Sequence, residues 1–213
     1  MKRIFVFCVV VLAASTPLFA ADSYSMAVGP YLMLKAGVNA GTIPTGFKTA
    51  VVFNGAPDFG AEFYLPFTKS LPVGASLDFG LQTYGILSKP SSGASDDNTF
   101  TTKYHYIAIS PSFVASIVSL GFTFGIPSGV STSNTSGTYT NNGSTSDMAT
   151  IVEAHIGVAV PILNDNTGRL NFLVMGSYVL TGMDAPSSGA VTSYNPVVAS
   201  LGVGFNYLFK IGD

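Results

Sequence analysis

Between Met26 and Phe209 apolar residues recur at every second position through eight separate stretches, the repeat of β-strands whose two faces meet different surroundings. In the first, Met26, Val28, Leu32, Leu34, Ala36 and Val38 share one face, and Ala27, Gly29, Tyr31, Lys35 and Gly37 the other. The second sets Phe59, Ala61, Phe63, Leu65 and Phe67 against Asp58, Gly60, Glu62 and Tyr64. In the third, Leu71 to Leu81 opposes Gly74, Ser76, Asp78, Gly80 and Gln82. The fourth, weaker, sets Ile107, Ile109 and Phe113 against Tyr104, Tyr106, Ala108, Ser110 and Ser112. The fifth is the cleanest, with Val118, Leu120, Phe122, Phe124 and Ile126 alternating with Ser119, Gly121, Thr123 and Gly125. The sixth opposes Val152, Ile156, Val158, Val160 and Ile162 to Glu153, His155, Gly157 and Ala159. The seventh sets Leu170, Phe172, Val174, Tyr178 and Leu180 against Asn171, Leu173, Met175 and Ser177. The eighth runs from Val197 to Phe209 over Ser200, Gly202, Gly204 and Asn206. Helical spacing fits none of these stretches comparably.

The second face decides what kind of sheet this is. A water-soluble sandwich or barrel turns its apolar face inward and covers the outside with charged side chains. Here the second face is Gly, Ser, Ala and Thr with a few acids, too small and uncharged for a solvated surface and well suited to a narrow lumen. The bulky apolar face is then the one that touches lipid, and stretches of roughly ten to thirteen residues match a tilted strand crossing hydrocarbon. The connections alternate in length. Asn39 to Lys48, Leu87 to Asn98, Ser128 to Asp147 and Gly182 to Asn195 are long and polar, whereas Thr68 to Ser70, Val114 to Ser116 and Leu163 to Gly168 are short. Long outer loops and tight periplasmic turns alternate in this way in even-stranded outer-membrane barrels. The expected fold is therefore an all-β, eight-stranded antiparallel up-and-down transmembrane barrel, its first strand closing on its eighth.

Residues 1–20 read as a signal peptide, with Lys2 and Arg3 before an apolar stretch from Ile4 to Ala14 and Leu18-Phe19-Ala20 ahead of the cut; residues 21–213 form the barrel domain. Cys8, the only cysteine, falls in the part removed, so the exported chain holds no disulfide and no zinc-thiolate site. Beyond the signal no run of eighteen apolar residues suggests a helical anchor. Composition narrows the function classes further. With 9% charged and 47% hydrophobic residues the chain is not disordered. Seven Lys and Arg beyond residue 3 face eleven Asp and Glu, so there is no basic stripe and no nucleic-acid partner is expected.

The Gly-Ala-Glu-Phe-Tyr-Leu-Pro-Phe segment at 60–67, the short turn into Gly-Ala-Ser-Leu-Asp-Phe-Gly at 74–80, and Leu-Gly-Val-Gly-Phe-Asn-Tyr-Leu-Phe at 201–209 resemble the outer-membrane β-barrel domain proteins of Gram-negative bacteria, the porin-family or OmpA/OmpX-like barrels. The resemblance covers the whole mature chain and is carried by residue classes. It implies a monomer in the outer membrane, with membrane lipid and, during insertion, the outer-membrane assembly machinery as partners, and no cofactor. Family barrels often end on an aromatic residue read by that machinery. Phe205, Tyr207 and Phe209 match the spacing, and Ile211-Gly212-Asp213 extends past it.

Candidate chemistry is sparse. The expected lumen gathers Lys35, Asp58, Glu62, Asp78, Glu153 and His155, the first four on three successive strands. Charges inside a closed barrel need partners, so a structural polar network in which Lys35 couples to Asp58 and Glu62 is the leading reading, ahead of a proton-sensitive or ion-conducting constriction. Catalysis by Glu153 and His155 lacks a nucleophile beside the pair. His105 and Lys103 read as polar anchors at the outer rim. Asp96-Asp97 lacks the alternating oxygens of a calcium loop, and no catalytic, cofactor or metal residue is assigned. The Asn134-Thr135-Ser136 and Asn142-Gly143-Ser144 sequons lie in a Ser, Thr and Asn-rich stretch, Ser128 to Ser146, which is expected to be a mobile tip. The expected function is a structural or surface-interaction barrel with a side-chain-filled lumen. The alternative is a small passive channel for ions or hydrophobic solutes of the OmpW-like kind, and an enzyme barrel of the lipid A acylation or deacylation type trails both.

Overall fold

The computed structural model describes residues 25–54, 56–185 and 195–211; the expected signal peptide at 1–20 lies outside them. The described residues form eleven strands: β1 (Met26–Asn39), β2 (Phe47–Ala50), β3 (Val52–Phe53), β4 (Asp58–Pro66), β5 (Val73–Pro90), β6 (Phe100–Ala115), β7 (Val118–Asn134), β8 (Thr140–Gly143), β9 (Ile151–Asn164), β10 (Gly168–Val179) and β11 (Val198–Ile211). Eight of them follow one another as antiparallel neighbours in the order β1, β4, β5, β6, β7, β9, β10, β11. The sheet then closes on itself, because β11 pairs with β1 from Met26↔Ile211 to Asn39↔Val198. This is the expected eight-stranded up-and-down barrel. Closure leaves neither β1 nor β11 as a free edge.

The two faces fall as the alternation requires. Along β1 exposed and buried residues alternate from Met26 to Lys35 without a break. Outward positions are bulky and bare: Leu32 is 50% exposed, Leu120 61% and Phe205 48%. Inward positions include Lys35, Asp58, Gln82, Thr123, Glu153, His155, Asn171 and Asn206, all at 5% or less. A water-soluble barrel would have these faces exchanged.

The short ends are tight. Residues 67–72 join β4 to β5, Ser116 and Ile117 join β6 to β7, and 165–167 join β9 to β10. Ser116 takes the left-handed region at φ +58°, which a two-residue hairpin turn demands. In the third turn the exposed Asp165 Oδ1 accepts from the backbone N–H of Thr167 at 2.8 Å and of Gly168 at 2.9 Å, and from the Thr167 hydroxyl. Those bonds hold its carboxyl below the usual range.

The long ends differ from expectation. Leu87 to Pro90 continues β5 and pairs with β2, and Ser128 to Asn134 continues β7, its residues Val130 to Ser133 pairing with β8. β2, β5, β6, β7 and β8 therefore form a sheet that stands beyond the apolar belt. The stretch read as a mobile tip is mostly paired strand. A short 3-10 turn, Thr145–Asp147, follows it.

One gap in the wall is filled by side chains. β4 begins only at Asp58 and β2 covers β5 only from Leu87, so the β5 backbone between them, paired with β6 on one side, has no strand paired to it on the other. There Asp58 Oδ1 accepts the Thr83 N–H at 2.8 Å, and Asn54 accepts the Gly85 N–H at 2.9 Å while donating to the Thr83 carbonyl. Two side chains thus satisfy buried backbone groups that a strand would otherwise pair.

Candidate functional site

The lumen has three levels. At the long-loop end it is filled with apolar and aromatic side chains. Tyr84, Ile86, Tyr106, Ile151, Val179 and Met183 are each no more than 1% exposed and form one cluster, with the rings of Tyr84 and Tyr106 edge to face at 5.7 Å. Met148 joins them from the connection after β8, and Met183 from the one after β10. These two connections are tied together by Ala149 N–H donating to the Met183 carbonyl at 2.8 Å and by a bridge between Met148 and Asp184. The Tyr104 hydroxyl donates to Asp184 at 2.9 Å. Partial burial pushes the Asp184 carboxyl above its usual range, against the pull of that bond.

Beneath this plug lies a charged level. Lys35 Nζ is 2.8 Å from Asp58 Oδ2, donates to Gln82 Oε1 at 3.1 Å and sits 4.9 Å from the centre of the Tyr84 ring. The Tyr84 hydroxyl donates to the same Gln82 oxygen at 2.7 Å. Glu153, fully buried, accepts from Ser177 Oγ at 2.9 Å, and Ser177 meets Ser200 at 2.6 Å.

The third level reaches the short-turn end. Its cavity of about 90 Å³ is bordered by Glu62, Asp78, His155, Arg169, Asn171 and Asn206, and by Pro72 and Ile117 from the short turns. Toward the charged level a smaller space of about 40 Å³ borders Asp58, Gln82, Glu62 and Asp78. Glu62 and Asp78 are direct partners across the β4–β5 ladder. Glu62 accepts from Asn206 Nδ2, which in turn is bonded to Asn171 at 2.6 Å through its Oδ1. Arg169 lies over the Tyr64 ring, 5.5 Å from its centre.

The six residues singled out in the sequence thus divide between the two lower levels. Lys35 pairs with Asp58, and its other partner is Gln82. Glu62 looks instead toward Asn206 and Arg169. The correction follows from register: Asp58 opposes Met33, two residues from Lys35 on the same face, whereas Glu62 opposes Gly29, nearer the short-turn end. Arg169 escaped the sequence reading because it stands one residue before the apolar stretch that starts at Leu170. Its inward parity with Asn171 was the available signal.

His155 has a nucleophile beside it that spacing along the chain did not disclose. Ser112 Oγ is 2.8 Å from His155 Nε2, across the intervening β7. Gly121 makes the contact possible, since it stands between the two in register and a Cβ there would collide with both side chains. The other ring nitrogen faces Thr123 Oγ1 at 3.3 Å, which bonds Ser110 Oγ at 2.8 Å. A triad would need an orienting carboxylate at that nitrogen. Here a chain of hydroxyl groups occupies the place, and Glu153 accepts from Ser177 through Oε2. His105, at the rim, bonds Thr83 Oγ1 at 3.0 Å through Nδ1.

No family model and no curated protein matches the chain. Among solved structures it is similar to the outer membrane protein OprG from Pseudomonas aeruginosa, at 9% identity over 90% of this chain and 98% of that one, with a TM-score of 0.38. It is also similar to AlkL, an outer membrane protein solved by solid-state NMR in DMPC bilayers, at 14% identity over 92% and 95% of the two chains and a TM-score of 0.42. A third is Ail, the attachment invasion locus protein of Yersinia pestis, at 12% identity over 89% and 100%, with a TM-score of 0.37. The barrel assignment stands on the β1–β11 closure of this chain and not on these likenesses.

Proposed function

We propose that this chain is a bacterial outer-membrane barrel that carries no through-flow and acts as a structural or surface-interaction protein. The observation that carries the reading is the plug: six side chains at 1% exposure or less fill the lumen at its long-loop end. An eight-stranded barrel is just wide enough for side chains to fill, so a dry apolar layer of this kind blocks water and ions. The bare apolar belt supports lipid as the surrounding solvent, and the five-stranded sheet beyond it supports contacts made outside the cell. In this reading the protein is exported by a cleaved signal peptide, inserted by the outer-membrane assembly machinery and works as a monomer without a cofactor.

The passive-channel alternative separates from it in one measurement. In a planar bilayer the purified protein should show no steady open conductance, while Tyr106→Ala combined with Ile151→Ala, which empties the middle of the plug, should conduct. A large open state in the unmodified protein would transfer the assignment to a conduit.

A further inference from the structure

We infer that the third level of the lumen is a binding site for a small monovalent cation, of the ammonium or alkali class, held between Asp78 and Glu62. Among the described residues four carboxylates face the lumen, Asp58, Glu62, Asp78 and Glu153, against the permanent cations Lys35 and Arg169. Lys35 is spent on Asp58 and Gln82, and Arg169 lies on the Glu62 side over Tyr64. Asp78 has neither kind of partner. Its Oδ1 is buried and makes no hydrogen bond within the protein, and the residue lines both cavities, directly across the ladder from a second carboxylate. A carboxylate with a buried, unpaired oxygen beside a like charge is costly unless positive charge joins it.

The surroundings select the class of ion. Arg169 borders the same cavity on the Glu62 side, so the two carboxylates leave one negative charge uncompensated among neutral neighbours such as Ser76, Ser112 and Asn171, which suits one positive charge, and a divalent cation of the calcium type asks for more anionic oxygens. No group of three or more His, Cys, Asp or Glu suited to a metal ion occurs among the described residues. Pro72 and Ile117, from the short turns, line the cavity, so its way in is from the short-turn end, and the plug closes the lumen at the other. The site itself does not depend on the plug.

The test is equilibrium unfolding of the refolded protein in detergent, in ammonium, potassium or choline chloride at equal ionic strength and fixed pH. Choline is bulky and has no N–H to donate. Folding should be favoured in ammonium or potassium relative to choline, saturably, the folded-to-unfolded ratio rising roughly tenfold at about ten times the dissociation constant. Asp78→Asn, nearly isosteric and free of the like-charge contact, should fold and lose the difference; Glu62→Gln should weaken it and serves if Asp78→Asn does not refold. Equal midpoints in all three salts would overturn the site, as a shared proton would then suffice, and so would a difference that survives both substitutions. Conductance recorded on the same preparation keeps the two readings apart. A conducting barrel with a cation-dependent midpoint retains the site, and a silent barrel indifferent to the salt retains only the plug.

Discussion

At the scale of single residues, the lumen works by pairing charge with whatever the neighbouring strand offers. Lys35 and Asp58 are 1% and 2% exposed and 2.8 Å apart, so removing one leaves the other buried without its counter-charge. Lys35→Met should cost roughly 3–5 kcal/mol, and Lys35→Met with Asp58→Asn distinctly less, in urea unfolding from lipid vesicles. Strict additivity would mean that the pair is not coupled. Asp58 has a second duty at the Thr83 N–H, so Asn, which keeps an accepting oxygen, is the informative replacement. The inward position of all six singled-out residues was legible from parity alone, because each sits in a stretch with strong contrast between faces. Who bonds whom was not. The Ser112–His155 contact joins residues 43 positions apart across an intervening strand, and depends on a glycine whose role is to be absent.

Whole elements obey the alternation wherever one face is apolar. β7 shows where that signal ends: Leu120 to Ile126 alternates between bulky and small, whereas beyond Ser128 both faces are Ser, Thr, Gly and Asn with a single Val130. Period two then has no contrast to display, although the backbone ladder continues and pairs with β8. In the apolar part, Leu120→Arg or Phe122→Arg should destabilise the inserted protein by about 2–4 kcal/mol if these positions lie near mid-bilayer, measured by refolding into vesicles. Thr123→Arg acts on the other side, where the native side chain is 1% exposed and bonded to Ser110 and His155. At the loop that supplies Met183, the raised Asp184 carboxyl gives a pH dependence of definite sign. The folded state holds the proton more tightly than the unfolded one, so this contribution is complete below the ordinary carboxylate pKa and is lost as pH rises through the raised value. Exchange of the Ala149 amide, corrected for intrinsic rate, should therefore slow as pH falls from about 6 to about 4, and Asp184→Asn should flatten that trend.

For the molecule as a whole, the alternation of tight and long connections sets a direction across the membrane. Cysteines placed singly at Ser133, in the sheet beyond the belt, and at Lys69, in the first short turn, should differ: the former reacts with an impermeant reagent on intact cells, the latter only after the outer membrane is broken. Equal labelling would remove the assigned orientation. Ring closure has a consequence in time as well as in space. Met26 and Ile211 are paired, so the seam joins the first strand of the ring to leave the ribosome with the last. Every shorter intermediate has two raw edges, one on β1 and one on whichever strand is newest, and no order of local hairpins removes them. Synthesis from one end thus cannot yield a finished domain piece by piece. The polypeptide must travel unfinished and unaggregated until β11 arrives, and the decisive contact is among the most distant along the chain. Closure of that seam is the step for which any attending chaperone would have to wait.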